Sequence, residues 1–178
     1  MKRILIAGIG NVFHGDDAFG CEVVRQLKRR SLPEEVTVTD FGIRNHDLVY
    51  ALADHFDAAI LVDAAPRGSA PGTLYLIEPD VDVSAEFDLA TVNGHTLDPV
   101  LALRVARLSG DLPEKLFLVG CEPQTLEPED GDPGLSRKLQ EALPDAVAMI
   151  ESLVERLLEA KTEELEPAGF APVHHKEL

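Results

Sequence analysis

The sequence predicts an α/β fold built on a mostly parallel sheet, and three observations predict it. A short apolar run, Ile4-Leu5-Ile6-Ala7, passes through Gly8-Ile9-Gly10-Asn11 into an amphipathic segment beginning near Ala18. Strand, glycine-punctuated turn and helix start, in that order, are the unit of parallel α/β sheets. Further on, Ala58-Ala59-Ile60-Leu61-Val62 is apolar without interruption up to Asp63, the pattern of a parallel strand covered on both faces. Lys115-Leu116-Phe117-Leu118-Val119-Gly120 reads as another central strand. In such sheets ligands gather at the carboxyl ends of the strands, so the residues that follow each strand are the ones to inspect.

The chain has 178 residues, 45% of them hydrophobic, enough for one compact domain, read here as residues 1–160. Residues 161–178 are rich in Glu and Pro and are expected to form a disordered acidic tail. A formal net charge of −16 argues against a nucleic-acid partner, since binding to phosphates rests on Lys and Arg. No apolar stretch approaches the roughly 18 residues of a membrane span, and the first apolar run stops at Gly8, too early for a signal peptide. Cys21 and Cys121 are isolated and read as reduced core residues, so a cytoplasmic location is expected.

Taken in order, the first turn ends in two adjacent carboxylates, Asp16 and Asp17, at a helix entrance. One carboxylate is enough to cap a helix, which leaves the other for the site. A dinucleotide fingerprint would need a third glycine where Phe13 stands, and carboxylates beside a pyrophosphate would repel it. Phe19, Val23, Val24 and Leu27 then recur at helical spacing, with a basic cluster, Lys28-Arg29-Arg30, at the helix end. Residues 36–40 read as a second strand closed by Asp40. An acid there would hold ribose in a nucleotide-binding fold, which keeps that alternative open. The loop Phe41-Gly42-Ile43-Arg44-Asn45-His46-Asp47 contains two residues tolerant of positive φ, Gly42 and Asn45. Arg44 is either a loop arginine or a guanidinium aimed into the site, and Asp47 is expected to cap a helix through Leu48, Ala51 and Leu52.

Asp63 terminates so apolar a strand that it must find a cap, a cation or water, since burying it alone is costly. Residues 73–77 read as an edge strand and residues 78–86 as an acidic surface excursion. Asn93-Gly94-His95 forms a turn feeding an apolar helix over residues 100–108. The acidic stretch from Glu122 to Asp132 lacks the spacing of a calcium loop and reads as solvated. Ser136 opens a helix expected to break or kink at Pro144, restart at Asp145 and run to about Ala160.

Asp17 after the first strand, Asp63 ending the third and His95 after the fourth thus converge on one sheet edge. Two carboxylates and one imidazole suit a divalent transition metal with open positions, where a bound water can become a nucleophile near neutral pH. There is no His-Glu-x-x-His motif and no Ser-His or Cys-His pairing to suggest another hydrolytic chemistry.

Gly8-Ile9-Gly10-Asn11 followed by Gly15-Asp16-Asp17-Ala18-Phe19-Gly20 resembles the opening signature of the hydrogenase maturation proteases. The resemblance continues through Asp40-Phe41-Gly42-Ile43-Arg44, Leu61-Val62-Asp63-Ala64, Pro71-Gly72-Thr73, His95 and Val119-Gly120-Cys121-Glu122-Pro123, and departs from the pattern at Ala18 and Asn45, where Gly is frequent. It implies a nickel-dependent endopeptidase that trims the C-terminus of a [NiFe]-hydrogenase large-subunit precursor. Asp17, Asp63 and His95 would contact Ni2+ brought by the substrate, with Cd2+ or Zn2+ able to substitute. Asp16 and Asp40 would be supporting groups. The fold expected is a three-layer α/β/α sandwich around a sheet of about five strands. Two alternatives stay open: a nucleotide-binding α/β module, and a non-catalytic nickel-site chaperone or scaffold.

Overall fold

Strand β1 (Ile4–Ile9) is buried along its whole length, because neighbours flank it on both sides and helices cover both faces. The computed structural model describes residues 2–79, 103, 106–107, 112–126 and 134–160. Among these, a five-stranded sheet runs in the order β2 (Val36–Gly42), β1, β3 (Ala58–Ala64), β5 (Lys115–Cys121), β4 (Leu74–Ile77). β1 is parallel to β2 and β3, and β3 to β5; β4 lies antiparallel to β5 at the edge. The expected mostly parallel sheet and the edge position of residues 73–77 are therefore what the structure has.

Side chains of successive strand residues point to opposite faces, and the core divides accordingly. Ile4, Ile6, Ala58, Ile60 and Val62 pack against helix α1 (Phe19–Leu27) and helix α3 (Arg137–Glu159). Leu5, Ala7, Ile9, Ala59 and Leu61 pack on the other face against Leu48 and Leu52 of helix α2 (Asn45–Leu52), together with Leu103 and Ala106. That is the three-layer sandwich. Helix α1 meets the sheet through glycines: a Cβ on Gly20 would lie 2.0 Å from the Val62 carbonyl oxygen and 2.4 Å from that of Ile9. Lys2, just ahead of β1, donates from Nζ to the Leu157 carbonyl (2.9 Å) and to that of Ala160, and so closes the last turn of α3.

Three local expectations need correction. α3 runs unbroken through Pro144 from Arg137 to Glu159, since Leu143, Ala146 and Val147 on either side of the proline are buried in the core and packing overrides the local cost. Asp47 does not cap α2; it lies inside the first turn, and Arg44 occupies the cap position without a side-chain bond. Asn45 takes a helical conformation as the first residue of α2, so its tolerance of positive φ is not used. The expectations for residues 80–102 and for the tail 161–178 lie outside the described residues.

Candidate functional site

β1 sends its crossover to β2 on one side, and the chain then returns past β1 to β3 on the other. The sheet's connections reverse between β1 and β3, and the carboxyl ends of these two strands flank the crevice where α/β folds hold ligands. Gly10 stands at its centre. The N–H of Gly10 donates to the Gly42 carbonyl (3.1 Å), joining the ends of β1 and β2. Its φ of +125° is one that side chains rarely adopt. A Cβ there would lie 1.8 Å from the Asp17 carbonyl oxygen and 3.7 Å from Asp63 Oδ1.

Asp17 belongs to a 3-10 turn, Gly15–Ala18, that precedes α1. Asp17 Oδ2 accepts the N–H of Asn11 (2.9 Å), while the Asn11 side chain accepts the N–H of Phe13 (3.0 Å), so the loop after β1 is wound around this carboxylate. Asp63 is buried at the end of β3, with Oδ1 accepting the Ala64 N–H (2.8 Å). The Cys21 thiol reaches the Gly10 carbonyl at 3.6 Å. Burial, followed by the charges of Asp40, Asp63 and Asp17 and a hydrogen bond to Asp40, pushes this thiol up to about 12. Cys121 is likewise pushed up to about 12, by burial and then by Asp16 and Glu122. Neither thiol is a nucleophile at neutral pH, because the reactive form is the thiolate.

The structure thus brings Asp17, Asp63 and Asp40 around Gly10 and Cys21. His95 lies outside the described residues, and among those described no three His, Cys, Asp or Glu side chains are placed to hold a metal ion. Carboxylate oxygens such as those of Asp17 and Asp63 are hard donors, and donors of this kind fit a divalent cation when an imidazole completes the set. Arg44 does not point at this centre. It donates to the Asp40 and Phe41 carbonyls and pairs with the Asp47 carboxylate at 3.4 Å, fixing the loop after β2.

Asp16 neither caps its own helix nor faces the crevice. It is fully buried; Oδ2 accepts the N–H groups of Gln124 (2.7 Å) and Thr125 (3.2 Å), and Oδ1 that of Ser136 (2.7 Å). Glu122 was expected in a solvated loop and is instead buried. Its carboxylate accepts the N–H groups of Arg67 (2.8 Å) and Gly68 (3.1 Å) and the Tyr75 hydroxyl. Burial alone would raise its pKa, but Tyr75 and the N–H groups of Arg67, Gly68 and Ser69 together hold it below the ordinary carboxylate range. A lowered folded-state pKa gives stability that is present above the unfolded value and lost as pH falls through the folded one. Acid titration of the fold should therefore show a loss of stability beginning below about pH 4.3, the ordinary glutamate value, and Glu122→Gln should flatten that part of the curve. An unchanged acid limb in a folded variant would show that Glu122 contributes nothing to it.

The family model for hydrogenase maturation protease matches residues 21–153, three quarters of the chain and all of the sheet beyond β1. The chain belongs to the hydrogenase maturation proteases. It is 34% identical to the hydrogenase 2 maturation protease of Escherichia coli K12, over 90% of this chain and 92% of that one. It is also 31% identical to the hydrogenase expression/formation protein HoxM of Cupriavidus necator, over 98% and 87%. The hydrogenase maturating endopeptidase HybD from E. coli superposes with a TM-score of 0.69 at 28% identity, covering 87% of this chain and 93% of that one. The protein is accordingly a hydrogenase maturation endopeptidase, and its α/β fold is that of the family. Among the described residues no helix is long and apolar enough to cross a membrane.

Proposed function

We propose that this maturation protease is a nickel-dependent endopeptidase that removes the C-terminal extension of a [NiFe]-hydrogenase large-subunit precursor. Asp17, Asp63 and His95 engage the nickel that the precursor already carries. The observation that supports the reading is that the Asp17 carboxylate holds the Asn11 N–H, next to Gly10, while Asp63 Oδ1 lies 3.7 Å from where a Gly10 Cβ would stand, at the reversal point of a mostly parallel sheet. Nickel held there is part of the substrate, and the ion supplies a positive charge that can polarise a carbonyl or a water. The chain's own residues have simpler tasks. Asp17, fixed by the Asn11 N–H, and Asp63, fixed by that of Ala64, present oxygen donors without having to reorganise. Asp40, beside the Cys21 thiol, adds negative charge that favours a cationic guest. The buried, unbridged cysteines support a reducing, cytoplasmic setting.

Mass spectrometry of a nickel-loaded precursor incubated with the purified protein tests the reading. Wild type should shorten the precursor at one position, and His95→Ala should leave it uncut while remaining folded by circular dichroism. Because a neutral imidazole is needed for ligation, metal affinity should fall as pH drops through about 6.5. Normal trimming by folded His95→Ala would remove the imidazole from the site. Precursor binding without shortening by wild type would make the chain a scaffold.

A further inference from the structure

The β3–β5 ladder ends at Ala64 and Cys121, with a last bond from the Ala65 N–H to the Cys121 carbonyl (2.8 Å). Asp63 itself is still paired with Gly120, but beyond the ladder the loop that leaves Asp63 has no strand pairing to hold it against the turn that carries Asp17. The tie is the stretch 122–125. At one end, the Glu122 carboxylate gathers the N–H groups of Arg67 and Gly68, in the loop that leaves Asp63, and the hydroxyl of Tyr75 on β4. The Glu122 backbone is fastened as well, donating to the Thr73 carbonyl and accepting the Gly72 N–H, both at 2.8 Å. At the other end, the N–H groups of Gln124 and Thr125 donate to Asp16, the residue next to Asp17, whose second oxygen holds Ser136 ahead of α3.

We infer that Glu122 and Asp16 are positioning residues. They make the stretch 122–125 a strut between the turn that carries Asp17 and the loop that leaves Asp63, and so set the separation of the two site carboxylates. The inference rests on the reading that Asp17 and Asp63 form the site. Its physical basis is the carboxylate's two oxygens, which can collect N–H groups from segments that share no strand or helix. A pair of metal-engaging groups has to be held within about 0.5 Å of its working geometry. Neutral packing could bury these positions as well, but it would not fix direction.

The test uses Glu122→Gln, Asp16→Asn and Tyr75→Phe in the full chain, with circular dichroism to establish folding. Amide hydrogen exchange is followed by NMR at Ala64 and Asn11, whose N–H groups bond to Asp63 and Asp17. Glu122→Gln should accelerate exchange at Ala64, and Asp16→Asn at Asn11, by about tenfold or more, the scale of one charge-assisted hydrogen bond. In precursor trimming, kcat should fall by about 10- to 100-fold, as for lost outer partners of metal ligands, with KM unchanged. Tyr75→Phe keeps the carboxylate and removes one donor, so it carries the test if Glu122→Gln does not fold; it should accelerate Ala64 by less. Wild-type exchange at both amides in folded variants, or an unchanged kcat, overturns the strut. The exchange readout needs no substrate. A wild type inactive on the precursor would therefore refute the proposed function and still leave the strut decided by exchange.

Discussion

Gly20→Ala should destabilise the protein by about 3 kcal/mol or more, the upper end of what overpacking a core costs. The direction is opposite to what helix propensity alone gives, since alanine outranks glycine by about 1 kcal/mol in a helix interior. Contact with the sheet decides the sign. A Cβ at position 20 would lie 2.0 Å from the Val62 carbonyl oxygen, 2.4 Å from the Ile9 carbonyl oxygen and 2.8 Å from the Ile9 nitrogen, all of them backbone atoms of central strands. None of these atoms can swing aside as a side chain would. Gly8 closes the contact from below, where a Cβ would meet the Gly20 carbonyl at 2.6 Å. Urea unfolding followed by circular dichroism measures the effect; a midpoint equal to or above wild type would show that α1 is not seated on backbone.

Asp17→Asn should abolish precursor trimming while leaving the protein folded. The substitution keeps an oxygen for the Asn11 N–H, so the loop after β1 retains its anchor and the stability change should stay near 1 kcal/mol. What is lost is the negative charge beside Gly10. Even outer partners of metal ligands cost about 10- to 100-fold when removed, and a direct ligand should cost more. Calorimetric titration with Cd2+ alone separates the two roles, since metal affinity should fall together with trimming. A folded variant that trims at the wild-type rate would take Asp17 out of the site.

The difference between Asp17 and Asp16 shows where sequence reasoning reaches and where it stops. Asp17 and Asp63 could be placed because a strand's end is visible as the point where an apolar run stops, and parallel topology puts such ends on one edge. His95 was assigned to the same edge as following the fourth strand, but β4 runs antiparallel, so its carboxyl end does not support that step; His95 itself falls among residues 80–102 and waits for the His95→Ala test. Asp16 was read as either a helix cap or a supporting group of the site, because its sequence neighbours invite those roles. Its actual partners lie 108 to 120 residues away, and nothing local announces them. Glu122 was hidden in the same way: the acidic residues after it resemble a solvated loop, while its own partners are 47 to 55 residues back. One signal was legible. Glu122 follows Cys121 at the end of a buried strand, as Asp63 ends its own, and the cost of burying a lone carboxylate applied equally to both. The uninterrupted α3 was misread because proline's local cost is explicit in sequence and the compensating packing of Leu143, Ala146 and Val147 is not.

The Lys2 ammonium on the final carbonyls of α3 ties the residue just ahead of β1 to the end of the last described helix, across 155 to 158 residues. During synthesis the central strand emerges first, yet one of the two helices covering its Ile4 and Ile6 face emerges last. Until α3 has left the ribosome, that greasy strip lacks part of its cover, and the nascent chain has no way to finish its core. Contacts so distant in sequence slow folding, because the long loop must close before its reward arrives. A hydrogenase maturation endopeptidase thus depends on a late helix of its own to complete its core.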